Sequence, residues 1–254
     1  DLLGSECRVL EPGLASSVNS GIEVPGEAEI DPRMLLAALR TACGRRGVRF
    51  MAGRVVRVDG VTVRLASGEA LAGERAVVAL GAWAGAEGLL SPATGGLPIR
   101  PVRGEVVRLR AESGAMPCER IVAGERFYIV PRSEGEVVIG ATVEERGFDL
   151  RVTAGGVHEL LRESYRALPE LAELELVEVA AGLRPGSPDN APAIGTLDDE
   201  RVLLATGLFR NGILLAPLIA AAADATLGAG EPPPELAPLA PERLVDAHAS
   251  GSRR

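Results

Sequence analysis

Leu35, Leu36, Leu39, Ala42 and Cys43 fall at helical spacing, preceded by Asp31-Pro32-Arg33. An aspartate N-cap followed by proline at the first helical position starts a helix there, and Gly44 with Gly47 ends it. Val48–Phe50, Val55–Val58 and Val61–Leu65 read as short strands, the last two joined through the Asp59-Gly60 turn. Ala76–Leu80 reads as a compact buried strand ending at Gly81-Ala82-Trp83. The pattern changes after Leu97-Pro98. Val102, Glu105–Leu109, Phe127–Val130 and Val137–Ile139 predict strands of an antiparallel sheet, with turns at Gly114, Gly124 and Glu134-Gly135. A helix is expected over His158–Leu168, stopped by Pro169. Strands follow at Leu176–Ala180 and Val202–Thr206, then a helix from Ile213.

These shifts imply a chain that crosses between two domains more than once. Residues 27–100 and 179–230 would form one domain and residues 101–178 the other. The proline-rich stretch 231–254 reads as a surface strap or a disordered end.

Composition removes several chemistries. The net charge of −8 argues against nucleic-acid binding, which needs a basic patch. All 27 basic residues are arginine, so no lysine is available for a Schiff base, a pyridoxal phosphate anchor or a Walker-type phosphate site. Two histidines, His158 and His248, and three scattered cysteines, Cys7, Cys43 and Cys118, give no metal-ligand spacing and no disulfide framework. A cytoplasmic location is the expectation. The apolar run Ile213–Leu227 is broken by Pro217 and Asp224 and is too short to span a bilayer. Glu144-Glu145 reads as a solvated pair of carboxylates and His158 as exposed. The chain begins with Asp1, consistent with a processed product or a fragment.

Two segments carry the strongest chemical signal. Gly182-Leu183-Arg184-Pro185-Gly186-Ser187-Pro188-Asp189 and Gly207-Leu208-Phe209-Arg210-Asn211-Gly212-Ile213-Leu214 each set an arginine in a glycine-bounded turn. The second runs into an apolar helix, whose first N–H groups are free to meet an electron-rich ligand atom. An arginine can clamp a carboxylate through two parallel N–H bonds. Arg184 could instead close a turn or pair with Asp189. Tyr128, in Phe127-Tyr128-Ile129-Val130-Pro131-Arg132, alternates away from Phe127 and Ile129, and aromatics make up only 3% of the chain. Trp83 is equally credible as packing.

Together with Ile30-Asp31-Pro32-Arg33, Gly81-Ala82-Trp83, Pro101-Val102-Arg103-Gly104 and Gly140-Ala141-Thr142, these segments resemble, in order, the glycine oxidase and D-amino-acid oxidase family of flavoenzymes. The resemblance implies a mixed α/β and α+β fold: a partial FAD-binding Rossmann-like domain interleaved with an antiparallel-sheet substrate domain. Residues 1–26 and 101–178 would then be substrate-domain segments, 27–100 and 179–230 FAD-binding segments, and 231–254 a C-terminal tail. It further implies that Arg184 and Tyr128 bind the substrate carboxylate. Val55 would meet the adenosine part of FAD through its backbone, and Leu208, Phe209, Arg210, Asn211, Gly212, Ile213 and Leu214 would meet the flavin ring. The family usually carries histidine or another residue where Leu208 stands; leucine leaves backbone contacts there but no polar side chain.

The implied chemistry is oxidation of glycine or a similar small amino acid to the imine, with electrons passing from reduced FAD to oxygen, in support of thiamine thiazole synthesis. No catalytic side chain and no metal are required, because orientation and the cofactor do the chemistry. Sarcosine oxidase and D-amino-acid dehydrogenase of the same fold stay open, as does a homo-oligomer. The family opens with a Gly-x-Gly-x-x-Gly turn that admits the FAD pyrophosphate. That spacing occurs nowhere in residues 1–254. The chain therefore reads as the C-terminal part of a flavoenzyme, or as a non-catalytic subunit that needs a partner to hold FAD.

Overall fold

The computed structural model describes residues 1–90, 97–112, 116–197, 199–228 and 233–244. In chain order the elements are β1 (Leu2–Leu3), α1 (Gly4–Leu10), β2 (Ser20–Gly21), α2 (Pro32–Arg45), β3 (Val55–Asp59), β4 (Thr62–Leu65), β5 (Ala70–Ala72) and β6 (Ala76–Val78). There follow β7 (Arg100–Arg110), β8 (Val122–Ala123), β9 (Tyr128–Pro131), β10 (Glu136–Gly140), α3 (Ala154–Ala167), β11 (Glu175–Gly186), β12 (Ala193–Leu197), β13 (Asp199–Thr206) and α4 (Gly212–Leu227). The chain forms two compact units, Asp1–Asp31 with Arg103–Gly182, and Pro32–Val102 with Leu183–Arg254.

The first unit is built on a five-stranded sheet in the order β11-β7-β10-β9-β8. β10 pairs antiparallel with β7 (Val137 opposite Leu109, Ile139 opposite Val107) and with β9 (Ile139 opposite Ile129). That register puts Val107, Leu109, Ile129, Val137 and Ile139 on one face, where they bury against Leu160 of α3 and against Leu168 and Leu171 just beyond it. Removing a fully buried leucine such as Leu160 costs about 2–5 kcal/mol. α3 begins four residues earlier than the apolar pattern suggests, because Thr153 caps it: its side chain accepts the Gly156 N–H at 3.2 Å. Pro169 then ends the helix as expected.

The second unit carries a three-stranded sheet, β12-β13-β6, and a small meander, β3-β4-β5. β13 and β6 are parallel, with Val202, Leu203 and Leu204 opposite Ala76, Val77 and Val78. The Asp59-Gly60 turn joins β3 to β4 as the sequence predicts, Gly60 taking a left-handed φ of 54°. Val58, Val78, Ala84, Leu97, Ile99, Ala193, Leu204 and Leu244 form its main core. Leu236, in the 3-10 turn Pro234–Leu239, buries against Ile194 and Ala222. Residues 233–244 are thus packed onto this unit as a strap, while 245–254 lie outside the described residues.

Several expectations are corrected. Val48–Phe50 forms no strand. β6 is shorter than Ala76–Leu80, and its Val77 is substantially exposed. α2 forms where expected, yet none of its residues is buried: Met34, Leu36 and Leu39 all face outward. Amphipathic spacing announces a face able to bury, and no described element covers this one. The turn expected at Gly114 lies outside the described residues.

Candidate functional site

The two arginine segments meet in the second unit. Gly182-Leu183-Arg184-Pro185-Gly186 is not a turn, as its glycines suggest, but the last stretch of β11. Two half-buried residues on that strand, Arg184 and Pro185, lead to buried Gly186. Gly186 forms an antiparallel bridge to Leu208, and the Phe209 N–H donates to the Pro185 carbonyl at 3.0 Å. The Arg184 strand end therefore lies directly beside the segment that leads into α4. Between them, Gly207 has φ 72° and Phe209 φ 44°. A Cβ on Gly207 would come within 3.2 Å of the Ala191 carbonyl and the Ala193 nitrogen, so both backbone conformation and space call for glycine.

This junction sits at the carboxyl ends of the parallel strands β6 and β13, the end at which open α/β sheets receive ligands. Thr206, fully buried at the end of β13, donates its hydroxyl to the Gly81 carbonyl just past β6, at 3.0 Å. Trp83, in the 3-10 turn that follows, is 49% exposed, which argues against a purely packing role. α4 starts at Gly212 with Asn211 as its N-cap, whose side chain makes no capping hydrogen bond. The first three N–H groups of a helix have no intrahelical acceptor. Here they belong to Gly212, Ile213 and Leu214, the last two exposed at 49% and 77%. Arg210 and Asn211 are exposed as well.

A tight polar turn follows Arg184. Ser187 is fully buried, its hydroxyl 3.0 Å from Asp189 Oδ1 and 2.7 Å from the Ala191 carbonyl. The Ala191 N–H closes the turn onto Asp189 Oδ1 at 3.0 Å, and Asn190 takes a left-handed φ of 58°. Arg100 reaches in from β7, donating to the Ser187 carbonyl and, at 3.1 Å, to Asn190 Oδ1. From the far end of the chain Arg243 donates to Asp189 Oδ2 at 2.5 Å and to the Ala191 and Pro192 carbonyls at 2.7 and 2.6 Å. Asp189, the partner the sequence offers Arg184, is held by Arg243. Burial opposes ionisation of Asp189. The Ala191 N–H, the Ser187 hydroxyl and Arg243 outweigh it and hold the carboxyl below the usual range.

The remaining sequence candidates stand elsewhere. Val55 opens β3 on the separate meander, packed against the main core of the second unit. Tyr128 begins β9 in the first unit, half-buried, with its hydroxyl end lying where a Cβ on Gly140 would stand, 2.2 Å away. Glu144, expected as a solvated carboxylate, is instead drawn to buried Arg103 at 2.7 Å, while Glu145 and His158 are exposed as expected. Cys118 offers no nucleophile at neutral pH: burial, helped by the Glu11 carboxylate, pushes its thiol up to about 12. Among the described residues no group of three or more metal-ligating side chains gathers, and no helix is long and apolar enough to cross a membrane.

Sequence reading missed Thr206, Ser187, Arg100 and Arg243. Ser187-Pro188-Asp189-Asn190 carries a readable turn signal. Arg243 has no local signal, since its partners lie some fifty residues upstream.

Comparison with known proteins gives the family. Residues 1–225 match the DAO family model, described as FAD dependent oxidoreductase. The chain is 32% identical over 246 residues to a glycine oxidase of Pseudomonas aeruginosa, covering 93% of this chain and 66% of that protein. It is 35% identical to the bifunctional protein ThiO/ThiG of a Synechocystis species, covering 84% of this chain and 33% of that one. The crystal structure of glycine oxidase from Geobacillus kaustophilus superimposes with a TM-score of 0.84 at 32% identity, over 94% of this chain and 65% of that one. The chain thus spans about a third of the bifunctional relative and slightly under two thirds of the glycine oxidases.

Proposed function

The chain belongs to the FAD dependent oxidoreductase family, and from that premise we propose that it oxidises a small amino acid, glycine or a close analogue, to its imine. One observation carries this reading: the Gly186–Leu208 bridge sets the arginine-bearing strand end beside the open start of α4. A carboxylate clamp and a set of backbone donors are thereby fixed side by side.

The donors fit the ring end of FAD. Uncapped N–H groups at a helix start favour the edge on which negative charge gathers during reduction. Leu208–Leu214 would hold that ring, with Val55 assigned to the adenosine end on the resemblance. FAD, when bound, supplies the electron acceptor, and oxygen is proposed to reoxidise it. Arg184 holds the substrate carboxylate through its two parallel N–H donors, which fixes the α-carbon and leaves the amine free. Tyr128, on the first unit, is assigned to the substrate on the resemblance alone. On this reading Pro32–Val102 with Leu183–Arg254 serves the cofactor and, through Arg184, the substrate carboxylate. Likeness to ThiO/ThiG supports delivery of the imine to thiazole synthesis.

The test uses the FAD-loaded full-length protein with glycine, sarcosine and D-alanine, following hydrogen peroxide. Glycine should be preferred. Arg184→Ala should lower kcat/KM by more than about tenfold, since removing one partner of a desolvated charge pair costs about 2–5 kcal/mol. Arg184→Lys should fail too, because the planar fork is lost. An unchanged kcat/KM in either variant removes the assignment.

A second reading is favoured by the absence of Gly-x-Gly-x-x-Gly from residues 1–254 and by the apolar face of α2, which no described element covers. In it, these residues hold FAD only together with a further segment or chain that brings the pyrophosphate-binding turn. Stoichiometric yellow flavin on residues 1–254 purified alone would refute it.

A further inference from the structure

The strap residue Arg243 is remote in sequence from both arginine segments, yet it is the hub of the turn that lies between them. Its guanidinium spans that turn, reaching the Asp189 carboxylate on one side and two consecutive carbonyls, Ala191 and Pro192, on the other. Leu244, its neighbour, is almost wholly buried in the main core of the second unit, so the anchor itself is fixed. The gripped turn touches each segment in the proposed site. Ser187 follows Gly186 directly, and its Cβ lies 3.5 Å from where a Cβ on Gly207 would stand. The Ala191 carbonyl packs on the same glycine. Displacing this turn would shift Gly186 against Leu208 and, with it, the strand end bearing Arg184.

We infer that Arg243 is a positioning residue: by clamping residues 189–192 it holds Arg184 at the spacing from the start of α4 that a small amino-acid carboxylate requires. The inference rests on the substrate reading of Arg184. Its geometry explains why an arginine is used. One planar group meets three acceptors, whereas an ammonium on a flexible stem holds them as a point charge without a fixed plane. The turn adjoins the strand end that bears Arg184, and the strap supplies the rigidity that loops lack.

The experiment compares wild type, Arg243→Gln, Arg243→Lys and Asp189→Asn in the FAD-loaded full-length protein. Asp189→Asn removes the ion pair from its exposed side and keeps the core intact if Arg243→Gln fails to fold. Amide hydrogen exchange of residues 185–193 and 207–212 is read against β9 and β10 as an internal control. In Arg243→Gln we expect about tenfold faster exchange in those two segments only. KM for glycine, and the dissociation constant of glycolate as a carboxylate probe, should rise about fivefold or more while kcat changes less than about twofold. Asp189→Asn should move both in the same direction by less, and Arg243→Lys should recover part of the loss. Unchanged local exchange overturns the inference. So does faster exchange with KM and glycolate affinity unmoved, since the clamp would then be structural only. Arg184→Ala serves as the control. If it leaves KM unchanged, the substrate reading falls and the inference with it; if it raises KM while the clamp variants do not, the inference alone falls.

Discussion

The starts of α3 and α4 pose the same electrostatic problem and solve it in opposite ways. Each presents N–H groups and the positive end of a helix dipole. At α3 the chain answers from within. Thr153 caps the Gly156 N–H, and Glu105 Oε1 accepts from the Thr153 N–H at 3.0 Å and from its hydroxyl at 3.1 Å. That carboxylate is fully buried, as is Arg103, its ion-pair partner at 3.0 Å. Arg103 in turn donates to Glu144 and to the Arg151 carbonyl. At α4 the N-cap Asn211 makes no side-chain capping bond, and Ile213 and Leu214 face outward. One helix start has its own anion and is structural; the other has no capping bond from its N-cap side chain, and we propose that it receives an electron-rich group from outside. A helix N-terminus becomes a site according to what surrounds it.

The comparison breaks most visibly at Glu105. Glu105→Ala takes from buried Arg103 its fully buried carboxylate and leaves it Glu144 and the Arg151 carbonyl; removing one partner of a buried pair costs up to about 3–5 kcal/mol. A urea midpoint near wild type would mean that the α3 start is not closed in the way described. The two first-turn glycines sharpen the contrast. A Cβ on Gly156 would lie 2.2 Å from Glu105 Oε2, so Gly156→Ala should cost about 1–3 kcal/mol. The nearest atom to a Cβ on Gly212 is 4.0 Å away. Gly212→Val should therefore leave the urea midpoint almost unmoved while weakening FAD, measured by titration with circular dichroism as the fold check. Wild-type FAD affinity in that variant would make the α4 start structural as well.

Smaller effects follow the same line. Thr153→Ala should cost about 1 kcal/mol, whereas Asn211→Ala, with no capping bond to lose, should cost less than about half of that. Equal losses would erase the distinction. The smallest effect is in pH. Burial opposes the charge on Glu144, but Arg103, Thr142 and Arg146 hold its carboxyl below the ordinary glutamate range. Its folded value is the lower one. Its stabilising contribution is therefore complete above the ordinary range and is lost as pH falls through the folded value. Glu144→Gln should flatten that acid limb of stability, and an unaltered limb would show that the carboxylate contributes nothing.

Local chemistry explains what could be read in advance. Asp59-Gly60, Asp31-Pro32 and the stop at Pro169 are written in adjacent residues, and each marks its element correctly. The Arg184 segment was misread as a turn because glycine and proline usually interrupt strands. Here they end one, and only the bridge to Leu208 reveals it. Arg103 and Glu105 share the inward parity of Val107 and Leu109, yet charge suggests the surface until Thr153 and Glu144 are seen around them. The proposal that the α4 start faces a ligand rests on motif order, while its junction with β11 needed three-dimensional register. Arg243 depended wholly on contacts between distant residues.

Phe209 has a consequence for anyone who would engineer this protein. A phenylalanine held at φ 44° carries about 1 kcal/mol of backbone cost that glycine would not. Selection by melting temperature alone would favour Phe209→Gly. The winner of such a screen would lose its aromatic ring at the junction of the two arginine segments, and with it part of the surface proposed to face the flavin. Heat resistance and turnover would then diverge at a single codon.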